Sequence, residues 1–254
     1  QLQTLANSPY WHLLLRYEPA HTTSGVRSEA RSSHFFLASN GRDNPLAELT
    51  ALAEAVTGSA TDNNHAACRF PTRAHWLYSQ TGLGQPSLNC PAYDEWRELV
   101  NPEQATLVFA SDYLNSPSSM FGHTFLRLDA PGQTEDTRLL AYAINFAAET
   151  NTKNPFVFAF KGLTGGYPGL FSLMPYYEKV KEYSDMENRD LWEYQLSLTP
   201  DEVHLLISHL WELRSVEFPY YFSTRNCSFQ LLALMEVARP GLAMPKDFSM
   251  QAIH

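Results

Sequence analysis

Hydrophobic positions along the chain fall into two textures that change near Pro102. Before it, apolar residues recur at helical spacing. Pro45 to Val56 is the clearest case, with Leu46, Leu49, Leu52, Ala53 and Val56 on one face. Ser8 to Tyr17 reads as a short helix with Ser8 as cap and Pro9 in the first turn. Ala74–Tyr78 and Tyr93–Leu99 read as two more. His34-Phe35-Phe36-Leu37 reads as a short strand or a core anchor. After Pro102 the pattern alternates or becomes continuously apolar over short runs. Strands are predicted at 105–111, 124–129, 139–147, 156–160 and 192–198, with a Pro131-Gly132 turn between the second and third. Thr199-Pro200-Asp201-Glu202 is a capping box, and Val203, Leu206, Ile207, Leu210 and Leu213 give the helix after it one apolar face. A last helix runs from Cys227 to just before Pro240. The expected fold class is therefore α+β. A helical region, 1–101, precedes an antiparallel-sheet domain, 102–254.

Charge and cysteine usage narrow the classes of function. The 254 residues carry a formal charge of −9 and no basic block, which argues against nucleic acid and against attraction to an anionic membrane by charge alone. Nothing approaches eighteen consecutive apolar residues, so no transmembrane helix is expected. Gln1 in place of a methionine suits a processed chain. Cys68 and Cys90 flank a polar loop rich in proline and glycine and read as a disulfide, which places the chain outside the reducing cytosol. Zinc is the competing explanation, but no CxxC pair and no HExxH occurs, and neither metal nor cofactor is expected.

That pairing leaves Cys227 odd. It opens a helix behind Ser223, Thr224 and Asn226, among backbone N–H groups that favour a thiolate. A thiol nucleophile needs a base and a group that orients the base. His123 opens the strand after the loop from Ser116 to Gly122, and Asn145 lies at the end of the hairpin partner that antiparallel pairing brings alongside. The opposing readings are a structural histidine, a strand-end asparagine bonded to backbone and a small buried cysteine. Tyr113 and Ser119 are candidate helpers for the oxyanion. Arg225 beside the thiol is a candidate to lower its pKa or to meet a lipid phosphate, with a surface salt bridge as the alternative. Gly162 to Phe171 lacks a P-loop signature. Leu163, Tyr167, Leu170, Phe171 and Leu173 are candidates for an apolar flap that admits acyl chains at a membrane face, against a plain turn-rich link. His204 and His209 fall off the apolar face of their helix and are expected in solvent.

Phe121-Gly122-His123-Thr124 together with Thr224-Arg225-Asn226-Cys227-Ser228 resembles the Lnb N-terminal periplasmic domain family. So do Cys68 to Arg73, Tyr142 to Phe146 and Arg189 to Tyr194. The resemblance implies a circularly permuted papain-like fold akin to NlpC-type hydrolases and lecithin:retinol acyltransferase, in which the histidine strand precedes the cysteine helix. It implies a periplasmic, membrane-associated lipoprotein N-acyltransferase and a protein that extends past His254. In this reading a phospholipid gives an acyl chain to Cys227, and a diacylglyceryl-cysteine lipoprotein receives it on its α-amino group. His123 would be the base and Asn145 its partner, although relatives place histidine or another polar residue where Asn145 falls. Two rivals remain open on the residues alone. One is a peptidoglycan endopeptidase or amidase; the other is a periplasmic binding module with an inert cysteine.

Overall fold

A computed structural model describes residues 1–20, 25–59, 61–111, 122–150, 154–186 and 190–241. The chain divides into two compact units. The first comprises Gln1–Leu99 and Leu205–Phe218, the second Val100–His204 and Pro219–His254. The sequence pattern places one boundary, at 101/102; the structure breaks the chain at 99/100 and returns Leu205–Phe218 to the first unit.

The first unit is helical. Its elements are α1 (Leu2–Ala6), α2 (Pro9–Leu15), the hairpin β1 (Tyr17–Pro19) and β2 (Val26–Ser28), α3 (Pro45–Val56), α4 (Ala66–Arg69), α5 (Pro71–Thr81) and α6 (Pro91–Val100). Local chemistry sets the starts: the Ser8 hydroxyl accepts from Trp11 N–H and the Asn44 side chain from Ala47 N–H. Trp11, Leu14, Phe35, Leu49, Leu52 and Leu77 form the buried centre. Residues 33–35 make a 3-10 turn rather than a strand, and Phe35 is the anchor. A charged knot lies inside this unit. Glu212 accepts from the backbone N–H of Thr72 (2.7 Å) and Arg73 (3.0 Å), from Arg73 Nε (3.2 Å) and at 3.1 Å from His209 Nδ1. His209 is therefore buried, not solvated as its helical position predicts: its partner is Glu212 one turn on in the same helix, which Arg73 of α5 pairs inside the unit. Cys68 and Cys90 form the expected disulfide, packed by Tyr93 and Trp211.

The second unit is built on a six-stranded antiparallel sheet. Its strands are β3 (Gln104–Ala110), β4 (His123–Asp129), β5 (Tyr142–Ala148), β6 (Tyr167–Pro175), β7 (Leu191–Gln195) and β8 (Phe218–Tyr220), in the order β7-β3-β4-β5-β6-β8. Two predictions fail here. The run around Phe156–Phe160 is a helix, α7 (Pro155–Thr164), because Asn154 caps it through the N–H groups of Phe156 and Val157 and Pro155 starts it. The glycine-rich stretch from Tyr167 is not a flap but strand β6, paired along its length with β5. Tyr167 and Phe171 are buried and Leu170 half-buried in that strand. Gly169 belongs in it because a Cβ there would strike the Phe146 ring. After β6, α8 (Tyr176–Val180) continues into a π-helical turn, Lys181–Met186. The capping box starts α9 (Pro200–Leu213), with Glu202 N–H bonded to Thr199 Oγ1 and Thr199 N–H to Glu202 Oε2. α10 (Cys227–Ala238) packs on β4 and β5, and its Leu231, Leu234 and Met235 are buried.

Candidate functional site

Cys227 is the first residue of α10, and Asn226 caps that helix by accepting from Phe229 N–H at 3.3 Å. The Asn226 amide also donates to the Phe222 carbonyl (3.2 Å), which ties the incoming loop to the helix start. The thiol is 5% exposed and unpaired. Next to it, the Thr124 and Ser228 hydroxyls meet at 2.9 Å, fastening the second residue of β4 to the second residue of α10. His123 opens β4. It follows Gly122, whose φ of +73° and whose approach to the Phe109 ring leave no place for a Cβ.

The pairing of Leu126 with Ile144 fixes the register of β4 against β5. One step further along, Asn145 stands across from Phe125, so His123 is its diagonal neighbour on the same face. The contact is short: His123 Nε2 to Asn145 Oδ1 is 2.6 Å. The Asn145 amide nitrogen donates to Ser172 Oγ on β6 at 3.4 Å, which turns its oxygen toward the imidazole. Nε2–H is then the donor to Asn145, and Nδ1 is left for the thiol. Tyr183, from the π-helical turn, packs against the imidazole with ring centroids 5.7 Å apart.

The electrostatics follow from this packing. Burial pushes the Cys227 thiol up. The charge and hydrogen bond of His123, the Thr124 N–H and the Ser228 hydroxyl outweigh it and bring the thiol down to about 7. Burial acts on His123 in the opposite sense, but Cys227 and Asn145 together raise its pKa above the ordinary value, with Lys179 opposing. Both shifts favour a thiolate beside an imidazolium. Tyr220, at the end of β8, completes the surroundings. Its hydroxyl neighbours the Cys227 backbone N–H and sulfur, and burial followed by the charge of Cys227 raises its pKa far above the usual tyrosine value.

The structure thus brings Cys227, His123 and Asn145 together. The Arg225 guanidinium stacks on the Phe229 ring, 4.3 Å from its centroid. Tyr167, Leu170 and Phe171 belong to the sheet rather than to a flap, and Tyr113 and Ser119 lie outside the described residues. Ser172 and Tyr220 were missed. Ser172 sits in the strand that glycines disguised; Tyr220 has only the aromatic run Phe218 to Phe222, seven residues before the cysteine, as a signal. Among the described residues no cluster of histidine, cysteine and carboxylate side chains could hold a metal ion, and no helix is long and apolar enough to cross a membrane.

Two family models match successive parts of the chain. Residues 3–80 match a domain family of unknown function (DUF7843). Neither the curated proteins nor the solved structures gave a match. Residues 92–252, which include β4, β5 and α10 with the cysteine, histidine and asparagine, match the Lnb N-terminal periplasmic domain, and the chain belongs to that family.

Proposed function

We propose that this chain is a thiol acyltransferase that moves an acyl chain from a phospholipid to the α-amino group of a diacylglyceryl-cysteine lipoprotein, on a circularly permuted papain-like fold at the periplasmic membrane surface. The observation that carries the chemistry is the buried Cys227–His123–Asn145 arrangement, with the thiol drawn down to about 7. Membership of the Lnb family supports the substrate class.

In the first half-reaction the Cys227 thiolate attacks the ester carbonyl of the phospholipid. The carbonyl oxygen takes the negative charge beside Cys227, where the Cys227 N–H and the neighbouring Tyr220 hydroxyl would exchange their contacts with each other for bonds to it. The carbon–oxygen bond then breaks, and the His123 imidazolium gives its proton to the departing lysophospholipid oxygen. A thioester and a neutral imidazole remain. In the second half the amine attacks the thioester, His123 takes the amine proton, and the carbon–sulfur bond breaks to restore thiolate and imidazolium. Asn145 holds the Nε2–H through both halves, so the proton always moves at Nδ1. A peptidoglycan hydrolase would use the same dyad with water in place of the amine.

The test is the intact mass of the protein after exposure to detergent-dispersed phospholipid. The reading requires an acyl adduct on the wild-type chain, absent from Cys227→Ala and discharged by a diacylated lipopeptide. Cleavage of muropeptides with no adduct would replace it with the hydrolase.

A further inference from the structure

We propose that the outward face of α7 is a membrane-docking surface that inserts into a phospholipid bilayer beside the nucleophile. The inference rests on the acyltransferase reading for its lipid partner and on the structure for its place. Phe156, Phe160 and Leu163 lie at i, i+4 and i+7 and so share one face of the helix. They are 86%, 68% and 64% exposed, and Val157 extends the patch. Single exposed apolar residues are ordinary, but three in helical register form a contiguous surface, which a soluble domain does not leave bare without a partner.

The opposite face of α7 is clamped to the loop that delivers Cys227. Phe158 packs on Phe222 with centroids 5.1 Å apart, and the Phe222 N–H donates to the Gly162 carbonyl at 2.9 Å. Gly162 and Gly165 have no Cβ because the Phe222 and Tyr221 rings occupy that space. From Phe222 the chain reaches the nucleophile in five residues. One face of the helix thus meets the catalytic loop, and the other, about 10 Å away, meets solvent.

The composition of α7 selects a bilayer over a protein surface. Between Pro155 and Thr164 there is no carboxylate in a chain of net charge −9. The single charge, Lys161, lies over the Tyr167 ring rather than on the apolar row. No hydrogen-bonding side chain interrupts Phe156, Phe160 and Leu163, whereas protein interfaces carry polar rims. With these 254 residues at a net charge of −9 and a single lysine on α7, attraction by charge is disfavoured and burial of apolar side chains in the acyl region is the favoured attachment.

Flotation with vesicles of phosphatidylcholine, with and without phosphatidylglycerol, tests this in a Cys227→Ala background that cannot turn over. The chain is expected to bind both compositions with little dependence on salt. Phe160→Asp and Leu163→Asp should each lower partitioning about tenfold or more, whereas Leu83→Asp, at an exposed leucine of the first unit, should not. Circular dichroism of each variant separates lost docking from lost folding, which exposed positions should not provoke. Binding unchanged by either aspartate overturns the proposal. So does self-association that either aspartate abolishes while vesicle binding persists. Failure of the wild-type face to bind vesicles, with the Cys227 adduct still formed from detergent-dispersed lipid, removes the docking surface and leaves the chemistry. Vesicle binding without any adduct does the reverse.

Discussion

Replacing His123 with alanine should move the titration of Cys227, and the structure sets the size of the effect. The thiol titrates at about 7 because the imidazolium, the Thr124 N–H and Ser228 outweigh burial. Without the imidazole the largest opposing influence is gone and burial remains, so the thiol should return to about 8.5 or higher. The fall from about 8.5 to about 7 corresponds to about 2 kcal/mol of thiolate stabilisation. At pH 7 about half of the wild-type sulfur is then thiolate, against about a few per cent or less in His123→Ala. Intrinsic nucleophilicity acts the other way, since a thiolate of lower pKa attacks more slowly, by about fourfold to sixfold over that fall. The rate at a single pH therefore understates the change, and the informative quantity is the midpoint. Cys68 and Cys90 are locked together, so iodoacetamide reports on Cys227 without interference. The rate of labelling should rise through a midpoint near 7 in the wild type and near 8.5 or above in His123→Ala, where the variant catches up at high pH. Restricted access to the sulfur scales both curves, while desolvation raises both midpoints alike and leaves their difference to the imidazole. A wild-type midpoint at 8.5 or above, or two superimposable profiles, would refute the thiolate–imidazolium pair.

Asn145→Ala removes the acceptor that holds Nε2–H, a hydrogen bond to a charged group worth about 1.5–3 kcal/mol. Acylation of Cys227 followed by mass should slow about tenfold to a hundredfold, and Asn145→Asp should recover part of it. Tyr220→Phe keeps the ring and deletes the hydroxyl; single-turnover acylation should drop about 10²-fold or more, with iodoacetamide labelling far less affected because alkylation builds no oxyanion. Glu212→Ala leaves the backbone N–H groups of Thr72 and Arg73 without their acceptor and the buried Arg73 guanidinium with Glu48 as its one remaining carboxylate among the described residues, and denaturant unfolding should show a loss of about 2–3 kcal/mol. Opening the 22-residue Cys68–Cys90 loop by a double serine substitution should cost about 3 kcal/mol.

Much of the site was legible because its signals are local. A polar cap ahead of an apolar run marks the start of α10 at Cys227, and the capping box marks α9. His123 and Asn145 could be paired because hairpin geometry brings a strand's start beside its neighbour's end. What escaped was set by contacts distant in sequence. Phe156 to Phe160 is apolar without a period, and the discriminating residues were Asn154 and Pro155 just ahead of it. Glycines disguised β6 because two of their causes lie elsewhere: Gly165 clears Tyr221 and Gly169 clears Phe146. His209 reads as a surface residue until Glu212 and Arg73 are seen to enclose it. The apolar surface assigned to Tyr167, Leu170 and Phe171 is found one element earlier, on α7, since those three belong to the sheet.

The locked pair of sulfurs has a cost for the remaining one. A thiolate that persists at neutral pH is the form that peroxide attacks, giving a sulfenic acid. Among these 254 residues both other cysteine sulfurs are already committed to each other, so no resolving thiol is left to capture that acid as an internal disulfide. Within these residues an oxidised Cys227 therefore has no partner thiol to restore it, and the near-complete enclosure of the residue is what limits access of the oxidant.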